Sequence, residues 1–252
     1  MRKALIIFGK SLLALLSLAG VALLWFTGWL IWHYEYGLGF PNEAQLAALS
    51  STGPVCTAAT QQTYVPLAEI PPLLRNAAIA YEQPDFYEVW SLNPFAHLAF
   101  GGGNPHRAQH ILHSVTHCLI SLAPGCCRGL DWNIGAVFFM QRMANTLSRD
   151  RILEIYLNES YRGRGAYGVA AAAEAYFGKP LSNLDIDEVA FITSRARLPN
   201  TSRRSFETSV RDSVIDRMQT AGLVSAMQAT TAKSRPLLLK DIPGGHAKPV
   251  NQ

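Results

Sequence analysis

Three short segments follow one another in the second half of the sequence: Ser148-Arg-Asp-Arg-Ile-Leu-Glu-Ile-Tyr-Leu-Asn158, Gly163-Arg-Gly-Ala-Tyr-Gly-Val169 and Ala173-Glu-Ala-Tyr-Phe-Gly-Lys179. From residue 132 to residue 158 the apolar side chains recur mostly at intervals of three and four, which predicts long amphipathic helix. Three glycines then interrupt the chain before a second predicted helix over residues 169–176. Each segment alone is an ordinary pattern, so the fold prediction rests on their order.

Helical signals continue on both sides of these segments. Two prolines open a helix predicted over residues 73–81, and a glycine-rich loop precedes another over residues 107–122. Asp185 and Glu188 form a capping-box start for a helix that reaches residue 192, and residues 209–218 also have helical spacing. No segment alternates as a strand does. The sequence therefore predicts a mainly α fold.

The N-terminal region predicts a membrane anchor. Residues 11–32 carry no charge and are long enough to cross a hydrocarbon core of about 30 Å. Arg2, Lys3 and Lys10 precede this run and Glu35 follows it, which predicts a cytoplasmic N-terminus and an exported domain. The run ends in Trp and Tyr rather than in a small-residue cleavage site, so we expect an uncleaved helix.

Composition and the positions of turn-forming residues suggest four regions. These are the cytoplasmic N-terminus and anchor (1–36), a juxtamembrane connector (37–66), a globular domain (67–233) and an unstructured tail (234–252). The net charge of +4 is modest and spread along the chain, which argues against a nucleic-acid partner and suits anionic lipid. The pairing of Cys56, Cys118, Cys126 and Cys127 cannot be read from their spacing, and we expect one disulfide or none.

The three quoted segments resemble successive motifs of glycosyltransferase family 51, which comprises monofunctional peptidoglycan glycosyltransferases and the glycosyltransferase domains of class A penicillin-binding proteins. The close match covers residues 147–199, with weaker similarity back to Arg75. This resemblance implies a lysozyme-like helical domain that polymerises lipid II outside the cytoplasmic (inner) membrane of a bacterium. The implied partners are lipid II, glycan linked to undecaprenyl pyrophosphate, the membrane and cell-wall synthesis proteins.

The first motif of that family resembles Tyr81-Glu-Gln-Pro-Asp-Phe-Tyr-Glu88 here. The resemblance places Glu82 at the position of the general base that deprotonates the acceptor's 4-hydroxyl, while Gln83 replaces the usual aspartate. A carboxylate base needs a pKa raised towards the working pH by apolar surroundings. Ala80, Tyr81 and Phe86 are expected to supply them.

The second motif departs strongly from the family pattern Gly-Gly-Ser-Thr-Ile-Thr-Gln-Gln-Leu-x-Lys-Asn. This chain has Arg107-Ala-Gln-His-Ile-Leu-His-Ser-Val-Thr-His-Cys118, with His117 at the lysine position that contacts phosphate. Histidines recur on one helix face at positions His106, His110, His113 and His117. Such a face can bind zinc, meet lipid phosphates or simply be polar. We assign no metal ligand and no cofactor, and leave a divalent cation open.

The third motif, Arg-Lys-x-x-Glu, carries the family's second acidic group. Counting back from Asn158 gives Trp132, Asn133 and Ala136, so all three residue types are missing in that register. A shifted register makes Arg128-Gly-Leu-Asp131 a substitute, with Asp131 as the second acid and Arg128 as a phosphate ligand.

Other candidate substrate-binding residues match or neighbour the family motifs. Three cationic side chains are expected to bind pyrophosphate: Arg142, Arg149 and Lys179. Glu154 and Asn158 are expected either to order the helix end and the following loop or simply to lie on the surface. Three functions remain open on this sequence. They are an active lipid II polymerase, a non-catalytic relative that binds lipid II or a cell-wall partner, and a hydrolase or lytic transglycosylase that relies on one glutamate.

Overall fold

A computed structural model describes residues 2–56, 62–88, 110–121, 129–198 and 204–240, and the statements below concern those residues. Within them the chain forms ten α-helices: α1 (Arg2–Trp32), α2 (Glu43–Ala47), α3 (Pro72–Glu82), α4 (His110–Ser121), α5 (Leu130–Thr146), α6 (Arg149–Glu159), α7 (Gly168–Phe177), α8 (Ile186–Ser194), α9 (Arg204–Thr220) and α10 (Ala226–Ser234). A π-helical turn spans His33–Gly37, and 3₁₀ turns span Leu67–Glu69 and Leu181–Asn183. These ranges contain no strand beyond one bridge between Tyr161 and Tyr167. The mainly α prediction is confirmed.

Local sequence signals explain several helix boundaries. Proline occupies the first turn of α3, and the predicted capping box of Asp185 and Glu188 begins α8. The prediction of continuous helix from residue 132 to residue 158 is wrong, because Leu147 is extended between α5 and α6. The Ser148 side chain accepts a hydrogen bond from the Arg151 amide at 3.1 Å, which starts α6 as a new helix.

Helix α6 lies at the centre of the core. Every residue from Arg151 to Glu159 is buried, polar ones included. The helix packs against α4 and α7, while α8 packs against α9 and α3.

The connector is part of this fold rather than a free linker. Phe40 and Leu46 are buried in the core. Glu154 accepts hydrogen bonds from the Leu67 amide and the Tyr64 hydroxyl, both at 2.8 Å. Asn158 accepts from the Val65 amide at 2.8 Å and donates to the Val65 carbonyl at 2.9 Å. Glu154 and Asn158 are therefore buried groups that bind the connector, which rules out the surface interpretation.

A disulfide joins the connector to α4. Cys56 and Cys118 are bonded, with their Cα atoms 5.8 Å apart. Cys126 and Cys127 lie outside the described residues. The expectation of one disulfide or none agrees with this bond, although its pairing was not readable from the sequence.

The long apolar helix predicted at the N-terminus is present as α1, and the residues at its C-terminal end contact α5. The stretch Leu13–Gly37 is long and apolar enough to cross a membrane, with a mean hydropathy of 2.0. Near its C-terminal end, the Tyr34 hydroxyl donates to Asp131 at 3.2 Å. Arg142 forms an ion pair with Glu35 at 3.1 Å and donates to the Pro41 carbonyl at 3.0 Å. These contacts set the direction in which the anchor leaves the domain.

The beginning of the predicted unstructured tail packs on the domain, so that prediction is wrong for residues 235–240. Leu237 is buried, and the Lys240 amide donates to the Tyr176 carbonyl at 2.7 Å. The apolar run Leu237, Leu238 and Leu239 explains this contact, because burial of the Leu237 side chain stabilises the packed position of the segment. Residues 241–252 lie outside the described part of the chain.

Candidate active site

Glu82 lies where α3 ends. The next residue, Gln83, leaves the helix with φ −157°, and Phe86 then packs into the core. The chain turn buries the Glu82 side chain completely, at 0% exposure. A carboxylate in such a place needs charged or hydrogen-bonding partners.

Two side chains, those of His110 and Arg197, meet Glu82 from different elements. His110, the first described residue of α4, places its Nδ1 atom 3.0 Å from Glu82 Oε2. Arg197, just after α8, donates from Nε to the same oxygen at 2.5 Å. The Arg197 guanidinium also lies over the Tyr81 ring, 5.1 Å from its centroid. The second oxygen, Glu82 Oε1, is buried and has no hydrogen-bond partner among the described residues.

These partners reverse the expected shift of the Glu82 pKa. Burial by itself raises the pKa of this carboxyl group, and Ala80 and Phe86 are indeed buried beside it in the chain. The hydrogen bond and charge of His110, and then the charge of Arg197, outweigh burial and hold the pKa below its ordinary value. The prediction of a raised pKa is wrong, because the cations that face Glu82 were not visible in the sequence.

Tyr156 and Arg162 form the floor of the site. Tyr156, on α6, is fully buried, and its ring meets the His110 ring edge-on at 6.3 Å. Burial, with a smaller contribution from the Glu82 charge, raises the pKa of Tyr156 well above its ordinary value. Arg162 stacks under the Tyr156 ring at 5.3 Å and donates to the Ile192 carbonyl at 3.0 Å. It thereby ties the floor to the end of α8, from which Arg197 follows.

Two predicted site residues lie at the anchor junction instead. Asp131 accepts the hydrogen bond from Tyr34, and no hydrogen bond or ion pair joins it to Glu82 in the described ranges. Arg142 is buried and occupied by Glu35 and the Pro41 carbonyl. Their predicted catalytic and phosphate-binding roles are untested, but these contacts give both residues a structural task.

The remaining predicted residues are dispersed. Arg149 donates to the Tyr87 carbonyl, which brings it close to the first motif. The exposed His117 ring lies 4.7 Å from the Trp132 ring and 4.5 Å from that of His113. Lys179 forms an ion pair with Glu188 at 2.8 Å, and that hydrogen bond raises the pKa of Lys179. The predictions for Arg128 and His106 lie outside the described residues.

Sequence reasoning missed Arg197 and Tyr156. Buried Glu82 requires a cation, but the chain has many arginines and nothing in the spacing selects one that follows α8. Tyr156 lies inside a quoted motif, yet its apolar spacing made it look like core alone.

The described residues offer one group of three potential metal ligands, namely Cys56, Cys118 and Glu159. The two sulfur atoms are already joined to each other. Glu159 accepts a hydrogen bond from the Val55 amide at 2.6 Å. A divalent cation therefore stays a prediction without an assigned site.

Comparison with known proteins gives the relatives of this chain. Residues 130–220 match the family model described as Transglycosylase. Penicillin-binding protein 1A of Escherichia coli (strain K12) is 34% identical over 173 residues, covering 65% of this chain and 20% of that protein. Penicillin-binding protein 1A of Rickettsia felis is 29% identical over 254 residues, covering 92% and 32%.

A 2.6 Å crystal structure of penicillin-binding protein 1A from Haemophilus influenzae matches with a TM-score of 0.42 and 22% identity, over 71% of this chain and 18% of that one. The chain spans at most 32% of the length of the two relatives named above. The family model and the two sequence relatives support a glycosyltransferase-type domain. They support the assignment of that domain to glycosyltransferase family 51, the family of the transglycosylase domain of penicillin-binding proteins 1A.

Proposed function

We propose that this chain is a peptidoglycan glycosyltransferase that polymerises lipid II into glycan strands at the outer face of the cytoplasmic membrane. The observation that carries the proposal is Glu82, which stands at the first-motif position in a buried site. Its ionised carboxylate forms an ion pair with Arg197, lies 3.0 Å from His110 and keeps one oxygen unpartnered among the described residues. A polar arrangement of this kind is costly in a purely structural core.

The proposed reaction joins two sugars. The acceptor hydroxyl attacks C1 of the donor, the C1–oxygen bond to the pyrophosphate breaks, and the hydroxyl proton passes to the Glu82 site. The α1 anchor favours a lipid-linked substrate, because it would keep the domain at the membrane surface where such substrates lie. An N-terminus inside and a domain outside are part of the proposal, on the charge pattern around α1.

We assign pyrophosphate binding to two side chains in or near the first and second motifs, Arg149 and His117. Arg149 lies against the Tyr87 carbonyl and His117 lies on the exposed face of α4. A guanidinium can bind a phosphate in bidentate fashion, whereas a neutral imidazole binds it less well. Asp131 could act as the second acid only if its hydrogen bond with Tyr34 were replaced by a contact with substrate. The proposal therefore assigns proton transfer to Glu82.

A binding function without catalysis is the second candidate. Two observations favour it. His110 and Arg197 cover the buried Glu82 side chain, and the third motif is missing. A hydrolase has less support. Inverting and retaining glycosidases both need a pair of carboxylates at a set spacing, and the described residues place no second carboxylate against Glu82.

The test is a polymerisation assay with labelled lipid II and the full-length protein in detergent. The parent is expected to form glycan strands, and Glu82→Gln to lose about 100-fold or more of that activity, since general acid–base groups typically contribute that much. Lipid II binding should survive in the variant. Strand formation by Glu82→Gln at the parent's rate would remove Glu82 from the mechanism.

Glu207→Gln is the matched control. Glu207 is also buried and paired with an arginine, Arg195 at 3.0 Å, but it does not contact Glu82. The two variants make the same chemical change at similar burial. Loss of activity in both would indicate general destabilisation, whereas loss in Glu82→Gln alone would indicate catalysis.

A further inference from the structure

We propose that Arg197 changes partners during the reaction: it binds the Glu82 carboxylate in the free protein and a phosphate oxygen of the lipid-linked donor in the complex. The inference rests on the proposed function. It keeps Glu82 as the general base and adds Arg197 as a residue that binds the substrate. The ion pair between these two side chains is one of the contacts that close the site before the substrate arrives.

Glu82 is enclosed, whereas Arg197 reaches the surface. The Glu82 side chain is 0% exposed and that of Arg197 is 27% exposed. Glu82 Oε2 accepts a hydrogen bond from Arg197 Nε at 2.5 Å, and Oε1 is buried without a hydrogen-bond partner among the described residues. A general base must lie within hydrogen-bond reach of the hydroxyl that it deprotonates. A group that covers Glu82 therefore has to move before the acceptor hydroxyl can reach it.

The contacts of Arg197 leave it able to bind a second anion. Within the described ranges it donates hydrogen bonds only to Glu82, from Nε to Oε2 and from Nη2 to the main-chain carbonyl at 3.5 Å. A guanidinium has five N–H donors, so others are left for a second acceptor. Arg195, two residues earlier, differs, because its side chain is 5% exposed and forms an ion pair with Glu207 at 3.0 Å. Arg197 is therefore the guanidinium beside Glu82 that can serve an incoming anion.

Phosphate is the anion that fits this guanidinium. Arginine binds phosphate oxygens in bidentate fashion, so Arg197 exchanges one anionic partner for another. In the proposed reaction, negative charge develops on the leaving pyrophosphate as the C1–oxygen bond breaks, and a cation placed there stabilises the transition state. The attacking hydroxyl and the leaving pyrophosphate meet at the same C1 atom, so the place that needs a cation is next to the base. The exchange forms and breaks no covalent bond, and the guanidinium keeps its proton throughout.

The exchange changes how strongly Glu82 holds a proton. Burial raises the pKa of this carboxyl group, but His110 and then Arg197 outweigh burial and hold the pKa below its ordinary value in the free protein. When Arg197 leaves, burial is opposed by one charge fewer, so the pKa of Glu82 rises and the carboxylate becomes a stronger base. The charged and titratable groups that the described elements present to Glu82 and to the adjoining Tyr81 ring are Tyr81 itself (α3), His110 (α4), Tyr156 (α6), Arg197 (after α8) and Arg217 (α9). Of these, Arg197 is the permanently charged group that touches the carboxylate.

The pH dependence of the two kinetic constants tests the exchange in the full-length protein acting on lipid II in detergent between pH 4 and pH 8. The acid limb of kcat/KM reports ionisation in the free protein, and that of kcat reports ionisation in the complex. The acid limb of kcat is expected at higher pH than that of kcat/KM, because Glu82 loses its guanidinium partner only in the complex. Limbs that coincide in the parent would mean that Arg197 stays on Glu82, and would overturn the proposal whether or not any variant folds.

Three variants separate the charge of Arg197 from its bulk. Arg197→Gln should bring the two limbs together and lower kcat by about 100-fold, as does removal of one donor at a developing charge. KM should change less, because the parent gives up one ion pair to form the other. Arg197→Lys keeps the charge, and should keep the limbs apart with a smaller loss of kcat. Arg235→Gln is the matched control, since it removes an arginine from ion pairs with Asp185 and Asp187 and should behave as the parent does.

A binding measurement tests the exchange without turnover. The probe is a lipid II analogue whose 4-hydroxyl is methylated, so that it cannot act as an acceptor. Between the lowered pKa of Glu82 in the free protein and the higher pKa in the complex, the complex holds more protons. The analogue should therefore bind the parent more tightly as the pH falls through this window, and this dependence should vanish in Arg197→Gln. Excess phosphatidylglycerol should leave the dependence unchanged. If it abolished the dependence, any phosphate headgroup would release Arg197, and the exchange would not be driven by the substrate.

The outcomes separate the inference from the function on which it rests. If the parent makes strands, but its two acid limbs coincide and the affinity for the analogue does not depend on pH, the exchange is wrong and the polymerase remains. If the parent makes no strands at any pH while binding lipid II, the proposed function fails and this inference fails with it.

Discussion

At the scale of the residue, the main feature is a buried carboxylate, Glu82. The sequence placed Glu82 correctly at the end of a helix and beside apolar neighbours, because a motif and a helical period are local features. It could not provide the sign of the pKa shift. That sign depends on His110 and Arg197, which lie far from Glu82 in sequence, Arg197 by 115 residues. Contacts over such separations are set only by folding.

Arg197→Ala should make the stability of the protein less sensitive to acid. The folded-state pKa of Glu82 lies below its ordinary value, so the ionised group stabilises the fold above that value. The contribution disappears as the pH falls through the lowered pKa. Without the guanidinium the folded-state pKa moves back towards its ordinary value, so less stability remains to be lost on acidification. At neutral pH we expect a loss of about 2 kcal/mol, because His110 remains as a partner.

Urea unfolding of the full-length protein in detergent, followed by circular dichroism between pH 3 and pH 7, checks this prediction. Arg235→Ala is the control, because it breaks exposed ion pairs with Asp185 and Asp187 and should cost less. Parallel pH profiles for parent and Arg197→Ala would show that the guanidinium does not set the ionisation of Glu82.

The loop between α6 and α7 shows what is decided at the scale of the element. Its three glycines predicted a break between two helices, and the structure confirms the break. Gly168 has φ +82° and approaches α6 so closely that a Cβ atom would lie 2.4 Å from the Asn158 carbonyl oxygen. Gly165 has φ +73° but open space around it. In the sequence the three glycines of this loop look alike. The structure separates two of them, because only at Gly168 would an added Cβ atom collide with the main chain of α6.

Alanine substitutions should separate these two glycines. Gly165→Ala is expected to cost about 1 kcal/mol, from the left-handed backbone alone. Gly168→Ala adds a collision with main-chain atoms of α6 and is expected to cost about 3 kcal/mol, from strain and displacement together. Urea midpoints of the two variants measure the difference. Equal midpoints would mean that α7 does not close on the Asn158 carbonyl.

At the scale of the whole molecule, the connector and the anchor are fastened to the domain. Contacts at Tyr34, Glu35 and Phe40 fix the anchor end to α5, and the Cys56–Cys118 disulfide fixes the connector to α4. Composition predicted a separate juxtamembrane connector because turn formers and small residues are frequent there. It could not reveal that Asn158 would bind the connector backbone at Val65, or that Glu154 would bind the Tyr64 hydroxyl, from inside α6.

Reduction of this disulfide should destabilise the domain and loosen α4, which carries His110. The bond closes a sequence separation of 62 residues. A loop of that size predicts a loss of about 2–4 kcal/mol. The midpoint temperature of thermal unfolding in detergent should therefore be lower with dithiothreitol than without it in the parent. In a Cys56→Ser, Cys118→Ser double variant, dithiothreitol should leave this temperature unchanged. An unchanged parent would show that the bond is not formed in solution.

The most direct measurement counts two products at once, namely new glycosidic bonds and released undecaprenyl pyrophosphate, when the full-length protein acts on lipid II in detergent. The proposed function predicts one pyrophosphate for each new bond, with strands that lengthen over time in the parent and not in Glu82→Gln. Lipid II that binds without releasing pyrophosphate, or sugars that appear with new reducing ends from hydrolysis, would contradict it.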